Sequence, residues 1–264
     1  ERNPFPAVCG RVCYHPCEDA CQEYHSHPGG PVAINALKRF VSEHASPPPK
    51  LKSKHSTGKR VAVVGSGPAG LTASYYLATL GHGVTIFEAN PELGGMMRYG
   101  IPEYRLPKAL LEKEINSIIG DSGIQVKANT KIGELDHLFE EGYDAILLAL
   151  GAHTDKSLMI EGENTPGVLG GLDFLKGVNS GERVNISGRL VVVGGGNVAI
   201  DSARTALRLG AKEVTMIYRR SRDEMPAHHN EINEALYEGV KTIFLAGPEK
   251  IEGKSGSLTL SCIR

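Results

Sequence analysis

Residues 60–70 read Arg60-Val-Ala-Val-Val-Gly65-Ser-Gly67-Pro-Ala69-Gly70, and this stretch decides the fold. Four apolar residues in succession predict a strand buried on both faces, and the glycines after it predict a tight turn into a helix. Gly65 permits the turn, Gly67 leaves the backbone open to a pyrophosphate, and Gly70 lets the helix pack on the strand, with Ala69 between them. The helix N-terminus adds free N–H groups and a partial positive charge that favour phosphate.

The sequence after this turn completes a strand–helix–strand unit. A helix is expected over about residues 69–80, and a strand over residues 83–88 ends in Glu88, eighteen residues after Gly70. A carboxylate at that strand end can accept hydrogen bonds from ribose hydroxyls. The unit therefore predicts a dinucleotide site. The alternative is a glycine-rich turn in an α/β fold that binds no ligand.

A second unit with the same order of elements begins 129 residues later, at Arg189. A strand over residues 189–194 precedes a helix that is expected to run to about Leu209. The turn between them carries Gly194, Gly196, Asn197, Val198 and Ala199. Alanine in the third motif position still allows close packing of helix on strand, so this unit also predicts a dinucleotide site.

The two units differ at the tip of their second strand. In the second unit, the strand over residues 213–218 leads into Arg219 and Arg220, and no acid stands at its end. Guanidinium groups pair with the 2′-phosphate of NADP(H), which a carboxylate would repel. We therefore predict FAD in the first site and NADP(H) in the second. A solvated basic loop is the alternative for the arginines.

These motifs predict an α/β protein with two Rossmann-like dinucleotide-binding domains of the glutathione-reductase type, preceded by a small helical Cys-rich head. The predicted domains are the head (1–41), a proline-containing linker (42–58), a partial FAD domain (59–152) and a partial NADPH domain (153–264). A further buried strand is expected over residues 145–150.

Composition excludes several classes of protein. The net charge is −1, which gives no bulk electrostatic reason for a nucleic-acid or membrane partner. No apolar run approaches the roughly 18 residues that span a bilayer, and the N-terminus lacks the apolar core of a signal peptide. We expect no membrane insertion and a cytoplasmic location. The ten histidines are interpreted as solvated or capping, and Cys262 as a structural residue.

The head contains four cysteines at a spacing of four residues: Cys9, Cys13, Cys17 and Cys21. Such clustering argues for metal ligation rather than a disulfide scaffold. On one straight helix the four would span roughly 18 Å, which is too far for one cubane, and Pro16 interrupts the helix. Cysteine thiolates are the usual iron–sulfur ligands, so we predict a [4Fe-4S] site; free thiols in a helical head are the alternative.

Further motifs connect the chain to a known family. Cys9-Gly-Arg-Val-Cys13, the segments 94–102 and 105–108, Ala149-Leu-Gly-Ala152 and the segment 218–227 together resemble the small subunit of bacterial glutamate synthase. Its relatives include the N-terminal part of dihydropyrimidine dehydrogenase, the large subunit of electron-bifurcating NADH-dependent ferredoxin:NADP oxidoreductase, and NADPH:acceptor oxidoreductases of sulfur metabolism. The resemblance implies electron transfer between NADPH, FAD and iron–sulfur clusters. An electron-transfer scaffold without turnover of its own is the alternative of another class.

The same resemblance implies roles for individual residues. Residues beside the flavin would be Gly94, Gly95, Arg98, Arg105, Leu150 and Gly151, and Glu231 would lie on the NADPH side. No catalytic side chain is required, because the cofactors carry the chemistry. In the family, two [4Fe-4S] clusters share the cysteines with an upstream group, and a later segment returns to the FAD domain. We therefore expect this chain to be a fragment cut at both ends that works with a larger electron-accepting subunit or domain.

Overall fold

A computed structural model describes residues 3–23, 29–45, 55–254 and 256–263. The chain divides into two compact units, one of residues 1–98 and 103–152 and the other of residues 99–102 and 153–264. None of the helices in these described ranges combines the length and apolarity that crossing a membrane requires.

The head is helical, and proline shapes it. Helix α1 spans Pro6–Val12, α2 spans Pro16–Asp19 and α3 spans Ile34–His44. The break predicted at Pro16 is present: Cys13 is extended and His15 is left-handed with φ 42° before α2 begins. Helix α3 continues three residues into the segment predicted as linker, because the first helix-breaking proline comes only at Pro47. The prolines of the predicted linker, residues 47–49, lie outside the described residues.

The rest of the first unit is a parallel sheet with helices. Its strands are β1 (Arg60–Val64), β2 (Gly83–Phe87), β3 (Gln125–Lys127) and β4 (Ala145–Leu148), in the order β3-β2-β1-β4. The helices are α4 (Pro68–Thr79), α5 (Met96–Tyr99), α6 (Lys108–Ile119) and α7 (Asp136–Glu140), with a 3-10 turn at Gly120–Ser122. Strands β1 and β2 bury every residue after their first. The three predicted strands are confirmed, and those expected over residues 83–88 and 145–150 end one and two residues early. The predicted burial of β4 is wrong: Ala145, Leu147 and Leu148 are exposed, because β4 lies at the edge of the described sheet.

The second unit repeats this plan with a smaller parallel sheet and adds a hairpin. Strands β5 (Arg189–Val193), β6 (Glu213–Tyr218) and β7 (Lys241–Phe244) are parallel in that order, and β8 (Gly247–Lys254) and β9 (Ser257–Ile263) form an antiparallel hairpin. Its helices are α8 (Gly171–Asn179), α9 (Asn197–Arg208) and α10 (His229–Tyr237), with a 3-10 turn at Arg222–Glu224. The core gathers residues such as Leu175, Ile200, Met216 and Ile232. The predicted α/β class with two nucleotide-type folds is confirmed.

Candidate functional site

The first glycine loop connects β1 to α4 at the carboxyl end of the sheet. Gly67 is the N-cap of α4 and Pro68 occupies its first turn, where a missing N–H costs no hydrogen bond. A Cβ atom built on Gly67 would meet no atom within 4 Å, so this backbone is open to a ligand. A Cβ on Gly70 would lie 1.9 Å from the Gly65 carbonyl oxygen, so only glycine allows α4 to pack here. Ala69 lies in the first turn of α4, between these two positions.

Two further segments converge on this loop. The Gly94 amide donates to the carbonyl oxygen of Ser66 at 3.0 Å. Gly95 has φ +52°, and a Cβ there would lie 2.8 Å from the Gly67 Cα. A Cβ on Gly65 would lie 2.3 Å from the Ala149 carbonyl oxygen, so the end of β4 meets the loop from the other side. The structure thus brings the predicted flavin-side glycines together around an open backbone that fits a pyrophosphate.

The segment after β4 lies at the same end of the sheet. Leu150 is exposed, and Gly151 has φ +69°. Since both follow directly on Ala149, they stand beside the first glycine loop. Their predicted contact with a bound nucleotide stays a prediction.

Glu88 ties the end of β2 to the first glycine loop. One carboxylate oxygen, Oε2, accepts from the Ser66 amide at 2.9 Å and from its hydroxyl at 2.5 Å. The other, Oε1, accepts from the Asn90 amide and side chain, both at 2.8 Å. Burial raises the pKa of Glu88, but these hydrogen bonds outweigh it and hold the pKa below its usual value. Because two donors already meet each oxygen, a ribose hydroxyl would have to displace one, and the ribose role of Glu88 stays a prediction.

The two predicted flavin-side arginines are placed differently. Arg98 is buried, and its guanidinium donates to the Leu93 carbonyl oxygen and forms ion pairs with Glu92 and Glu112. These partners fix the loop between β2 and α6 rather than leave the charge available. Arg105 is half-buried in the segment that precedes α6. A flavin contact for either residue stays a prediction.

The second glycine loop connects β5 to α9. Gly196 is the N-cap of α9, and a Cβ on it would meet nothing closer than Pro226 at 3.8 Å. The Oδ1 atom of Asn197, the first residue of α9, is buried and meets no donor among the described residues. Ala199 packs on Gly194, since a Cβ on Gly194 would lie 3.2 Å from the Ala199 methyl group. Open backbone and an unsatisfied buried acceptor at a helix N-terminus fit a nucleotide.

Arg219 and Arg220 follow β6 as predicted. Both are exposed, and neither guanidinium forms a hydrogen bond or ion pair within the described part of the chain. The guanidinium of neighbouring Arg222, in contrast, is held by Asn233. Two arginines therefore remain available to a phosphate.

A rigid frame supports the arginine segment. The Tyr218 hydroxyl donates to the Glu224 carbonyl oxygen at 2.9 Å, and Ser221 and Glu224 form a reciprocal capping box. The hydrogen bonds from the Ser221 backbone and side chain hold the pKa of Glu224 below its usual value. The Tyr218 ring also lies on the second glycine loop, because a Cβ on Gly195 would be 2.7 Å from it.

A buried charge cluster joins α9 to α10, and sequence reasoning did not find it. The Arg204 guanidinium contacts Glu231 and Glu234 at 2.5 Å each and Glu238 at 2.7 Å. Arg208 adds a second pair with Glu238, and hydrogen bonds from Arg208 and then Arg204 lower the pKa of Glu238 from 4.5 to about 2. Glu231, which is expected to contact the NADPH side, pairs with Arg204 in this cluster, and a contact with the nucleotide stays a prediction.

The four head cysteines are free thiols spread over α1 and α2 and the residues that follow each helix. Among the residues described, no three His, Cys, Asp or Glu side chains are grouped as in a metal site. The donor chemistry fits an iron–sulfur cluster, and the expectation that these four do not share one cubane stays a prediction. The division of ligands between two clusters stays a prediction.

The sequence predicts solvated or capping histidines and a structural role for Cys262. His228 caps α10, because its Nδ1 accepts from the Asn230 amide at 3.4 Å. Cys262 lies exposed on β9. Partial burial, with Glu249 nearby, raises the pKa of the Cys262 thiol, which disfavours the thiolate that a metal requires. His25 and His27 lie outside the described residues.

Each unit thus carries an open glycine loop at the carboxyl end of a parallel sheet, and these paired loops define the class of two-domain, nucleotide-dependent oxidoreductases. The chain belongs to the pyridine nucleotide-disulphide oxidoreductase family, whose profile matches residues 54–263. A second profile, dihydropyrimidine dehydrogenase domain II with a 4Fe-4S cluster, matches residues 1–48. The cofactors of these two families are FAD, NAD(P)H and a [4Fe-4S] cluster, as predicted.

Curated relatives agree with this assignment. The chain is 45% identical to NADPH-Fe(3+) oxidoreductase subunit beta of Geobacter sulfurreducens, over 94% of the chain and 38% of the relative. It is 40% identical to NADP(+)-dependent formate dehydrogenase subunit beta of Moorella thermoacetica, over 100% and 41%. It is 35% identical to the glutamate synthase [NADPH] small chain of Escherichia coli, over 96% and 57%. The predicted resemblance is confirmed, and the chain spans less than two thirds of each relative.

A solved structure shares the fold. FprA from Mycobacterium tuberculosis in complex with NADPH has a TM-score of 0.63 and 21% identity, covering 77% of this chain and 67% of that one. This likeness supports the two-domain α/β fold.

Proposed function

We propose that this chain is the NADPH-side electron-transfer part of a larger flavoprotein. The first glycine loop would hold FAD, the second would hold NADP(H), and the head cysteines would supply part of the ligands of iron–sulfur clusters. The observation that carries the proposal is the contrast between the two strand tips. One ends in the buried carboxylate of Glu88. The other ends in Arg219 and Arg220, which are exposed and whose guanidinium groups form no hydrogen bond within the described part of the chain, although the charge of Arg220 acts on Glu224.

Each part of the chain has a defined task in this proposal. The amides at the start of α4 and α9 bind pyrophosphate, and the arginine pair selects the 2′-phosphate. Gly94 and Gly95 bring backbone, without side chains, beside the first loop. When bound at the first loop, FAD would supply the chemistry that links two-electron hydride transfer from a nicotinamide to one-electron transfer to iron–sulfur clusters. The protein contributes position and electrostatics, so no acid or base side chain is assigned.

We propose that the electron acceptor is a partner subunit or a further domain. The complex would resemble the NADPH-Fe(3+) oxidoreductase and the NADP(+)-dependent formate dehydrogenase more than it resembles glutamate synthase. The higher identity to those two beta subunits, 45% and 40% against 35%, supports this order. Both relatives are named as subunits, and the chain covers only 38% and 41% of their length. These two facts support the proposal that the chain works with a partner subunit or domain. The free thiols are in keeping with a cytoplasmic location.

Anaerobic spectroscopy on the purified full-length protein tests the proposal. We expect a flavin spectrum that NADPH bleaches within seconds and that NADH bleaches far more slowly at equal concentration. A protein without flavin, or one whose flavin no nicotinamide reduces, would favour the scaffold without turnover. Equal bleaching by both nucleotides would refute the assignment of the arginines.

A further inference from the structure

Glu114 is a buried carboxylate on α6 that none of the nucleotide loops uses. Its Oε1 accepts from the Ala7 amide at 2.6 Å and its Oε2 accepts from the Val8 amide at 3.0 Å. These amides lie 107 and 106 residues away in the sequence, in the first turn of α1. The contact therefore joins the Cys-rich head to the sheet-containing part of the first unit.

The geometry is that of a helix cap supplied by another element. The N-cap residue of α1 is Phe5, which has no side-chain acceptor, so the helix cannot satisfy its own first amides. Glu114 takes that task with both carboxylate oxygens, and its negative charge meets the positive end of α1. Phe5, Ala7 and Val8 are buried, so water does not replace the carboxylate. Arg11 and Lys113 are the cations that act on Glu114.

Helix α1 carries Cys9 directly after the two capped amides, and Cys13 directly follows the helix. Its other side is fixed on α3, because a Cβ on Gly10 would lie 2.9 Å from the Arg39 backbone and Arg11 pairs with Glu43 at 2.7 Å. The head thus packs as one piece, and Glu114 is its charged attachment to α6.

The same helix α6 also supports the segment of Gly94 and Gly95, which we call the flavin loop. The Leu111 and Ile115 side chains lie 3.3 and 3.4 Å from the position of a Cβ on Gly94, and Gly94 and Gly95 rest on the first glycine loop. Glu114 is next to Ile115 and one turn from Leu111. A single helix therefore bonds to the Cys-bearing helix through Glu114 and packs on Gly94 through the neighbouring Leu111 and Ile115.

We propose that Glu114 is a positioning residue for electron transfer, which fixes the Cys-bearing helix α1 relative to the flavin loop. This inference rests on the proposed function. Without the carboxylate, two buried amides lose their acceptors, and α1 separates from α6 for part of the time. The distance between flavin and cluster is then no longer fixed, while NADPH and flavin binding remain.

The test uses the full-length protein with Glu114→Ala and Glu114→Gln, the latter of which keeps the side-chain size and one acceptor oxygen. Glu140→Gln, which removes the same charge from an exposed position, is the matched control. Three measurements are made: hydrogen exchange of the peptide covering residues 6–12, NADPH oxidation by a dye that accepts electrons from flavin, and bleaching of the iron–sulfur absorption per bound cluster after mixing with NADPH.

We expect faster exchange at Ala7 and Val8 and at least about tenfold slower cluster reduction in Glu114→Ala, with an intermediate effect in Glu114→Gln and none in the control. Dye reduction should stay at the wild-type rate. Unchanged exchange at residues 7 and 8, or unchanged cluster reduction, in both variants would overturn the proposal. Wild-type clusters that NADPH does not reduce would instead refute the proposed function, and the exchange measurement would still decide whether Glu114 holds α1.

Discussion

Replacing Arg204 with methionine is expected to destabilise the second unit strongly. The guanidinium is almost fully buried between α9 and α10 and contacts three carboxylates, of Glu231, Glu234 and Glu238. Methionine fills much of the same volume but carries no charge. The substitution therefore leaves acidic groups in a partly buried position without their shared partner, which is the costly way to disrupt an ion pair.

The magnitude follows from the exposure of the partners. Removing one partner of a fully buried ion pair costs about 3–5 kcal/mol of stability. Glu231 and Glu238 keep 20% and 23% of their side-chain surface exposed. We therefore expect Arg204→Met to lower the free energy of unfolding by about 3 kcal/mol, at the lower end of this range. Arg208 pairs with Glu238, donates to the Arg204 carbonyl oxygen and is 41% exposed, so Arg208→Met should cost at most about 1 kcal/mol. For a unit of about 100 residues, the difference corresponds to roughly 10 °C in Tm.

Differential scanning calorimetry of the wild type, Arg204→Met and Arg208→Met measures both effects. Because α9 also begins in the second glycine loop, the affinity for NADPH should fall with Arg204→Met. A Tm for Arg204→Met within a few degrees of that for Arg208→Met would refute the reasoning, since the two arginines differ mainly in burial and in the number of carboxylates they contact.

Three further predictions concern the nucleotide sites and pH. Arg219→Ala combined with Arg220→Ala should weaken NADPH binding by roughly 10–100-fold, because charge-assisted hydrogen bonds to the 2′-phosphate are lost. The affinity for NADH should stay nearly unchanged, as titration calorimetry would measure. Equal losses of affinity for both nucleotides would contradict the assignment of these arginines to the 2′-phosphate. Gly70→Ala should abolish flavin retention, because its methyl group would lie 1.9 Å from a carbonyl oxygen, and retained flavin absorbance would contradict this. The lowered pKa of Glu238 contributes stability that is present above pH 4.5 and lost as the pH falls towards 2. In Glu238→Gln the free energy of unfolding should therefore depend less on pH over that range, and an unchanged pH dependence would contradict this.

Local sequence pattern was sufficient for strands β1, β2, β4, β5 and β6 and for the glycine loops, but it did not predict β3 or β7. The run Val61–Val64 is apolar because both faces of a parallel strand are covered, and glycine is required at residue 70 because of its contact with Gly65, directly after that strand. The position of Arg219 and Arg220 could be predicted in the same way, since both directly follow β6. These features depend on residues close together in the chain.

The interactions that hold these parts in place could not be read in the same way. Glu114 bonds to residues more than a hundred positions away, and Arg204 finds its partners on another helix. Glu114 does leave one signal: it falls on the stripe of Leu111, Ile115 and Ile118, which is the buried face of α6. A carboxylate on an apolar stripe indicates a buried partner without naming it. The donors that surround Glu88 left no comparable signal.

Anaerobic titration of the full-length protein with NADPH, followed by electron paramagnetic resonance, tests the central claim most directly. We predict that NADPH reduces flavin and iron–sulfur clusters together, and that Cys9→Ala damages one cluster signal while oxidation of NADPH by a flavin-level acceptor continues. Clusters that remain oxidised beside fully reduced flavin, or a Cys9→Ala variant with every cluster signal intact, would contradict the path from NADPH through flavin to the cysteine-ligated clusters.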